Sequence, residues 1–289
     1  MMRSMTGYGV GVGEHDGVRA TVEIRTLNHR HLDVRLSAPA GCTAAVAAVE
    51  RAVRGRLVRG RVDVAIGIEG EAVERERMAA VVPAYRALER IRAELGVVAP
   101  IDLGAVFLAV TSAGVPVPGR AIFTQAVEAA TLAALDQVDE MRAAEGAALR
   151  ELLLALVDRM GELVASLGTV VRGLRERLPE RLRARTDLLA QSAALPSLDQ
   201  ERLRQELAML LDRADVTEES DRLACHVDHL RATLKGEAPA GRRGDFLAQE
   251  MLREAGTLAA KAQDAAVSRL AADLRALAEQ TREQLQNVE

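Results

Sequence analysis

The 289-residue chain is 49% hydrophobic and 28% charged, proportions of a globular protein with room for one large domain or two ordinary ones. Its formal net charge of -4 excludes a global basic field, so any polyanion site must be a local patch. Aromatic residues make up only 2%, with no Trp, which argues against single-strand binding through base stacking.

The first seventy residues alternate and turn. Arg3–Val12 is β-prone and punctuated by glycine. Val18–Leu27 sets Val18, Ala20, Val22 and Ile24 against Arg19, Thr21, Glu23 and Arg25, the period of a half-buried strand. His31–Leu36 repeats the pattern, and the short Asn28-His29-Arg30 connection predicts an antiparallel hairpin between these two strands. Thr43–Val58 has helical spacing, and Arg61–Ile68 alternates again. From about Glu71 onward the chain reads as helix: Arg75–Leu95, then a break at Val115–Gly119. A long helix follows, with Leu149, Leu152, Leu153, Leu156, Val157 and Met160 inward, interrupted or kinked near Pro179. Leu195-Pro196-Ser197 marks a boundary with Ser197 as N-cap, and helix is expected from about Leu198 to Leu234. A Gly/Pro loop, Gly236–Gly244, precedes the last segment, Asp245–Gln286.

The fold class is therefore α+β: an N-terminal mixed strand and helix module, then a long, mainly helical C-terminal region. The expected division is 1–120, a strand-rich module; 121–196, connecting helices; and 197–289, a helical domain. Cys42 and Cys225 lack the spacing of a disulfide framework, so a reducing compartment is the default. Met1–His15 has no apolar run of signal-peptide length, and the most apolar stretch, Ala143 to Val171, is broken by charges such as Glu145, Arg150 and Asp158. A cytoplasmic location without a membrane partner is the expectation.

Two constellations could carry chemistry. At roughly 100° per residue, Asp212, Asp215, Glu219 and His226 share one side of a helix, bordering the apolar stripe of Val216, Leu223, Val227 and Leu230. In the next helix Glu250, Glu254 and Lys261 share a stripe. Packed as an antiparallel hairpin, these carboxylates and the histidine suit Mg²⁺ or Mn²⁺. The same spacing also describes a solvated, salt-bridged face, with Arg213, Arg222 and Arg253 close by. The second constellation is basic: Arg3, Arg19, Arg25, His29, Arg30, His31 and Arg35, followed by Arg51, Arg54, Arg56, Arg59 and Arg61. It can hold phosphates, or it can be a solvated face balanced by Glu23, Asp33, Glu50 and Asp63. In the last helix Val267, Leu270, Leu274, Leu277, Thr281, Leu285 and Val288 form a near-heptad, either core or a subunit seam. GVGVGEHDG is not a nucleotide loop, because no Lys-Ser/Thr follows it.

Beyond these patterns, several blocks carry a resemblance. MRSMTGYG, VEIRTLNHRHLDVRLSAP, RGRVDVAI, MRAAEGAAL, RLRQELAMLLDRADVTEESDRLACHVDHLR, GRRGDFLAQEMLREAGTLAAKAQD and the closing QLQNVE resemble, in order, the YicC/YloC family of bacterial endoribonucleases. The resemblance implies a divalent-metal-dependent endoribonuclease, using Mn²⁺ or Mg²⁺, that forms a ring-like homo-oligomer, a hexamer, around RNA. It implies acidic and histidine positions at Asp215, Glu218, Glu219, His226, Glu250 and Glu254. Of these, Asp215, Glu219, His226, Glu250 and Glu254 are the expected metal set. Glu219, His226, Glu250, Glu254 and Lys261 are the expected catalytic set. Arg3, Arg25, Asn28, Arg30, Arg242 and Arg253 are the expected RNA contacts. The block after Met251 departs from the family, with Leu252, Gly256, Ala259 and Ala260 replacing two Asn, a Gly and a Ser. The lost amides and hydroxyl raise a second reading: a non-catalytic RNA-binding oligomer that presents small RNAs to other nucleases of RNA decay.

Overall fold

The computed structural model describes residues 2–39, 42–112, 120–192, 215–236, 238–262 and 264–289, with Gln205 and Met209. It contains the strand-rich start and helical remainder expected of an α+β chain. Two compact units are present: Arg3–Glu145, and Gly146–Glu289 with Met2. Their division falls inside one helix, so it follows packing and not a break in secondary structure.

In the first unit, β1 (Gly7–His15), β2 (Val18–Leu27), β3 (Asp33–Ser37) and β4 (Arg61–Glu69) form one sheet in the order β1-β2-β4-β3. The expected β2–β3 hairpin does not form: β2 pairs antiparallel with β1 and β4, and β3 pairs parallel with β4. The hairpin lies one connection earlier. Asp16 (φ 45°) and Gly17 (φ 75°) both adopt the left-handed conformation of a two-residue turn whose twist matches the strands it joins. β3 is then followed by α1 (Thr43–Arg56), whose Ala45, Val49 and Val53 pack into the same core as β2 and β4. A helical crossover of this kind returns the chain parallel to the strand it left, which places β4 beside β3.

The glycines of β1 have a packing role. Gly9, Gly11 and Gly13 lie against Ala134, Ala130 and Ala126 of α4 (Arg120–Ser192), and a Cβ at any of them would run into a backbone carbonyl of that helix. Glycine at period two faces alanine at period four, so strand and helix approach at backbone distance. The adjoining segment locks onto the same helix. Ser4 N donates to the Arg142 carbonyl (2.9 Å), Arg142 Nε donates to the Ser4 carbonyl (2.6 Å), and Thr6 Oγ1 donates to Glu145 Oε2 (2.7 Å). Arg142 is 2% exposed. Two motifs that read separately in the sequence are thus the two halves of one hydrogen-bonded clasp.

α2 (Glu71–Glu94) and α3 (Leu103–Ser112) also belong to this unit. α2 contains Pro83, and α4 likewise runs through Pro179 without the expected interruption. Proline forfeits one backbone donor, and the Leu-, Arg- and Glu-rich turns around it sustain the helix. Residues 113–119, where a break is expected, lie outside the described residues.

The second unit packs the rest of α4 with α5 (Thr217–Lys235), α6 (Gly241–Lys261) and α7 (Ala265–Leu285). Leu153, Val157, Met160, Leu223, Leu230, Met251 and Leu258 share its core. Leu152, expected inward, is 43% exposed, one step off the stripe that faces the neighbouring helices. The C-terminal near-heptad resolves to core: Val267, Leu274, Thr281, Leu285 and Val288 are all buried here. Asp264 N-caps α7 by accepting from the amides of Ala266 and Val267, an arrangement worth about 1 kcal/mol. The Ser197 cap and most of the helix expected from Leu198 lie outside the described residues. Residues 215–216 are not helical, and Val216 is the N-cap position of α5. No helix among the described residues is long and apolar enough to cross a membrane.

Candidate metal centre

α5 and α6 are amphipathic helices that bury Leu223, Val227 and Leu230 against Leu247, Met251 and Leu258. Their connection is short and they run antiparallel, so polar residues bordering the two apolar stripes meet in rungs. One rung joins Glu219 to Lys261, whose Nζ donates to Glu219 Oε1 at 2.6 Å. The other brings His226, Glu250 and Glu254 together, with one ligand atom from each within 4.8 Å of the others. Between them Arg222 donates to Glu254 Oε1 (3.3 Å) and to Glu218 Oε1 (2.5 Å).

Burial makes these contacts consequential. Glu254 is 5% and Glu219 6% exposed, while Glu250 and His226 are half-buried. Carboxylates at such depth are costly unless paired or ligated. Arg222 serves one oxygen of Glu254 and Lys261 serves one oxygen of Glu219. Glu219 Oε2 and His226 Nδ1 are buried with no hydrogen-bond partner among the described residues. Two carboxylate oxygens and one imidazole nitrogen within 4.8 Å of one another make a cation's donor set, and Nδ1 of the same ring is buried without a hydrogen-bond partner among the described residues. Donors around an octahedral ion at about 2.1 Å lie roughly 3 to 4.2 Å apart, so small side-chain adjustments would close His226, Glu250 and Glu254 on Mn²⁺ or Mg²⁺.

The five-residue metal set that the resemblance implies is divided. Glu219 and His226 do share a stripe, but seven residues separate them by about 10 Å along the axis, too far for one ion. Asp215 precedes α5 and accepts from the Thr217 hydroxyl (2.5 Å) and amide (2.9 Å), which hold its carboxyl below the usual carboxylate range. The Glu219 hydrogen bond and charge hold the Lys261 ammonium above the usual lysine range. Asp212 lies outside the described residues. Arg222 is the addition: its i,i+4 spacing to Glu218 is legible in the sequence, but its reach across to Glu254 depends on the helix pairing.

The expected RNA contacts occupy both units. In the first, Arg3 pairs with Asp139 (3.3 Å). Arg25 pairs with Glu23 (2.5 Å) and lies 5.5 Å from the centre of the Tyr8 ring. Asn28 and Arg30 are exposed in the β2–β3 connection. Much of the arginine run that follows is ion-paired: Arg54 with Glu50, Arg56 with Asp136 and Asp139, Arg61 with Asp63. In the second unit Arg242 is exposed near the start of α6, and Arg253, 74% exposed at its side chain, lies 3.9 Å from Glu250. His229 is exposed, with Cys225 Sγ 3.8 Å from its ring.

Comparison with known proteins extends this picture to the whole chain. Residues 2–151 match the family described as "Endoribonuclease YicC-like, N-terminal region", and residues 168–289 match "Endoribonuclease YicC-like, C-terminal". A protein of Clostridioides difficile strain 630 named "Probable endoribonuclease YicC" is 28% identical over 295 residues, covering 100% of both chains. A Haemophilus influenzae protein of the same name is 45% identical over 93 residues, 32% of each chain. The matches lie on both sides of the division in α4, and the C-terminal match contains both rungs of the candidate centre. The chain belongs to the YicC-like endoribonuclease family.

Proposed function

We propose that this protein is a divalent-metal-dependent endoribonuclease that cleaves RNA phosphodiester bonds as a cytoplasmic homo-oligomeric ring, a hexamer. The observation that carries the reading is the His226, Glu250 and Glu254 cluster, with its unpaired buried imidazole nitrogen, in a chain of this family. These three residues would hold Mn²⁺ or Mg²⁺. A bound divalent ion supplies polarisation of the scissile phosphodiester and activation of an attacking water.

The chain's own groups do the rest. Arg222 orients Glu254 through one oxygen and leaves the other for the ion. Lys261, fixed by Glu219, sets a permanent positive charge two helical turns from Glu254, where it offsets charge developing on the phosphate. Arg3, Arg25, Asn28, Arg30, Arg242 and Arg253 track the backbone, which gives binding its salt dependence. Support for assembly comes from α2, α3 and the segment joining them, where Met78, Ile91, Leu95, Val98, Leu103 and Leu108 are exposed at 50% or more. Cys42 and Cys225 are both free thiols, in keeping with a reducing compartment.

The second reading, an RNA-binding adaptor, is favoured by one feature of α6. Leu252, Gly256 and Ala260 leave the helix without amides or a hydroxyl at those positions, and nothing lies within 4 Å of a Cβ built at Gly256. End-labelled RNA incubated with pure protein and Mn²⁺, with and without chelator, separates the two. Internal cuts that vanish with chelator are expected, and binding without any cut would establish the adaptor.

A further inference from the structure

Phe246 is the most exposed of the chain's five aromatic side chains, at 59%, against 44% for Tyr8 and 39% for Phe107. A single exposed aliphatic side chain calls for no explanation. An exposed phenyl ring in so aromatic-poor a protein does, because its apolar faces are kept in water on a helix whose other face is fully packed.

Its neighbours indicate what covers it. Along α6, Phe246 lies four residues before Glu250, about 6 Å along the axis and roughly 40° around it. Arg242 lies one turn on its other side, and Arg253, two turns further on, returns to within about 20° of the same direction. The face therefore reads guanidinium, phenyl, metal-type carboxylate, guanidinium, and both arginines are exposed. Arg242 and Arg253 stand about 16 Å apart along the axis, so they suit phosphates on either side of an intervening nucleotide, and an aromatic face between phosphate contacts suits an unstacked base. A second protein copy would fit less well, since the ring stands singly between charged groups and not in an apolar patch.

On this geometry we infer that Phe246 is a positioning residue that stacks on an unpaired nucleobase flanking the scissile phosphodiester. The substrate is thereby limited to RNA that is single-stranded at that nucleotide. The inference rests on the nuclease reading for the position of the cut and on the exposed ring alone for the stacking. It also narrows the exclusion drawn from composition: one platform beside the site serves where a series of platforms is absent.

Because the chain has no tryptophan, Phe246→Trp creates a single indole fluorophore at the position in question. In chelator, without turnover, a single-stranded RNA of about 12 nucleotides, within the site sizes of single-strand binders, should quench the indole emission of this variant. Inorganic polyphosphate and a fully paired RNA should leave that emission unchanged. With Mn²⁺, Phe246→Leu should lower kcat/KM by about tenfold, the usual size of a lost base stack, and flatten base preference beside the cut. Phe246→Tyr should restore both. Equal quenching by polyphosphate would overturn the inference, as would a Phe246→Leu variant with unchanged kcat/KM and cut-site choice. A smaller assembly in sedimentation of Phe246→Leu would also overturn it, by assigning the ring to a contact between copies. If the wild type binds but never cuts while the Phe246→Trp variant is still quenched by single-stranded RNA alone, the nuclease reading fails and the stacking stands.

Discussion

The two units treat buried polar groups in opposite ways. Among the described residues of Arg3–Glu145 the buried polar side chains are satisfied: Arg142 bonds to the Ser4 carbonyl, Thr131 to the Val127 carbonyl, and Thr26 to the Gly7 carbonyl. In Gly146–Glu289 two buried atoms, Glu219 Oε2 and His226 Nδ1, have no partner among the described residues. A buried polar atom without a partner costs roughly 1 to 3 kcal/mol, so a fold retains one where something else supplies the interaction. The first unit's described buried side chains are served by the protein itself, and the second places His226 in a set of donors that a cation would complete.

The largest effect that could break this contrast concerns catalysis. Glu250→Gln with Glu254→Gln keeps side-chain volume and removes both carboxylates of the cluster. Metal-dependent RNA cleavage should fall by more than about a hundredfold with little change in thermal midpoint. Full activity would mean that the carboxylates beside His226 have no catalytic role.

Next in size is a test of the scaffold. Gly11→Val forces a branched side chain into the Ala130 carbonyl and should destabilise the first unit by about 3 kcal/mol in urea unfolding. A neutral result would show that β1 and α4 are not in backbone contact.

The smallest effect is on pH dependence. Lys261 has its folded pKa raised by Glu219, so the pair's stabilisation is fully present below the usual lysine pKa of about 10.4 and is lost as pH rises through the folded value. With Lys261 40% exposed at its side chain, water screens the pair and limits its contribution to about 1 kcal/mol or less. The wild type should lose this stability above about pH 10, by about that amount, and Glu219→Gln should lack that alkaline limb. Asp215 runs the other way. Its depressed pKa gives a contribution present above the usual carboxylate pKa and lost as pH falls.

Local pattern is legible in the sequence, and pairing is not. Alternation in Val18–Leu27 and Arg61–Ile68 identifies strands because each buries one face. Sheet order escapes because Asn28-His29-Arg30 has hairpin length, whereas Asp16-Gly17 makes the turn and α1 decides which neighbour β3 obtains. At the candidate centre, helical phase correctly groups His226 with Glu219, and Glu250 with Glu254 and Lys261. Phase says nothing of height along the axis, and height assigns Glu219 to Lys261 and His226 to the two glutamates. Spacing misplaces Asp215 because α5 begins only at Thr217, and residues before a helix do not share its phase.

The central claim, that His226, Glu250 and Glu254 form one cation site, is tested most directly by titrating the metal-free protein with Mn²⁺ in a calorimeter. One saturable site per chain is expected in the wild type, lost in His226→Ala and in Glu250→Gln with Glu254→Gln, and retained in Glu219→Gln. Binding that is unchanged in His226→Ala, or that disappears only in Glu219→Gln, would contradict the account.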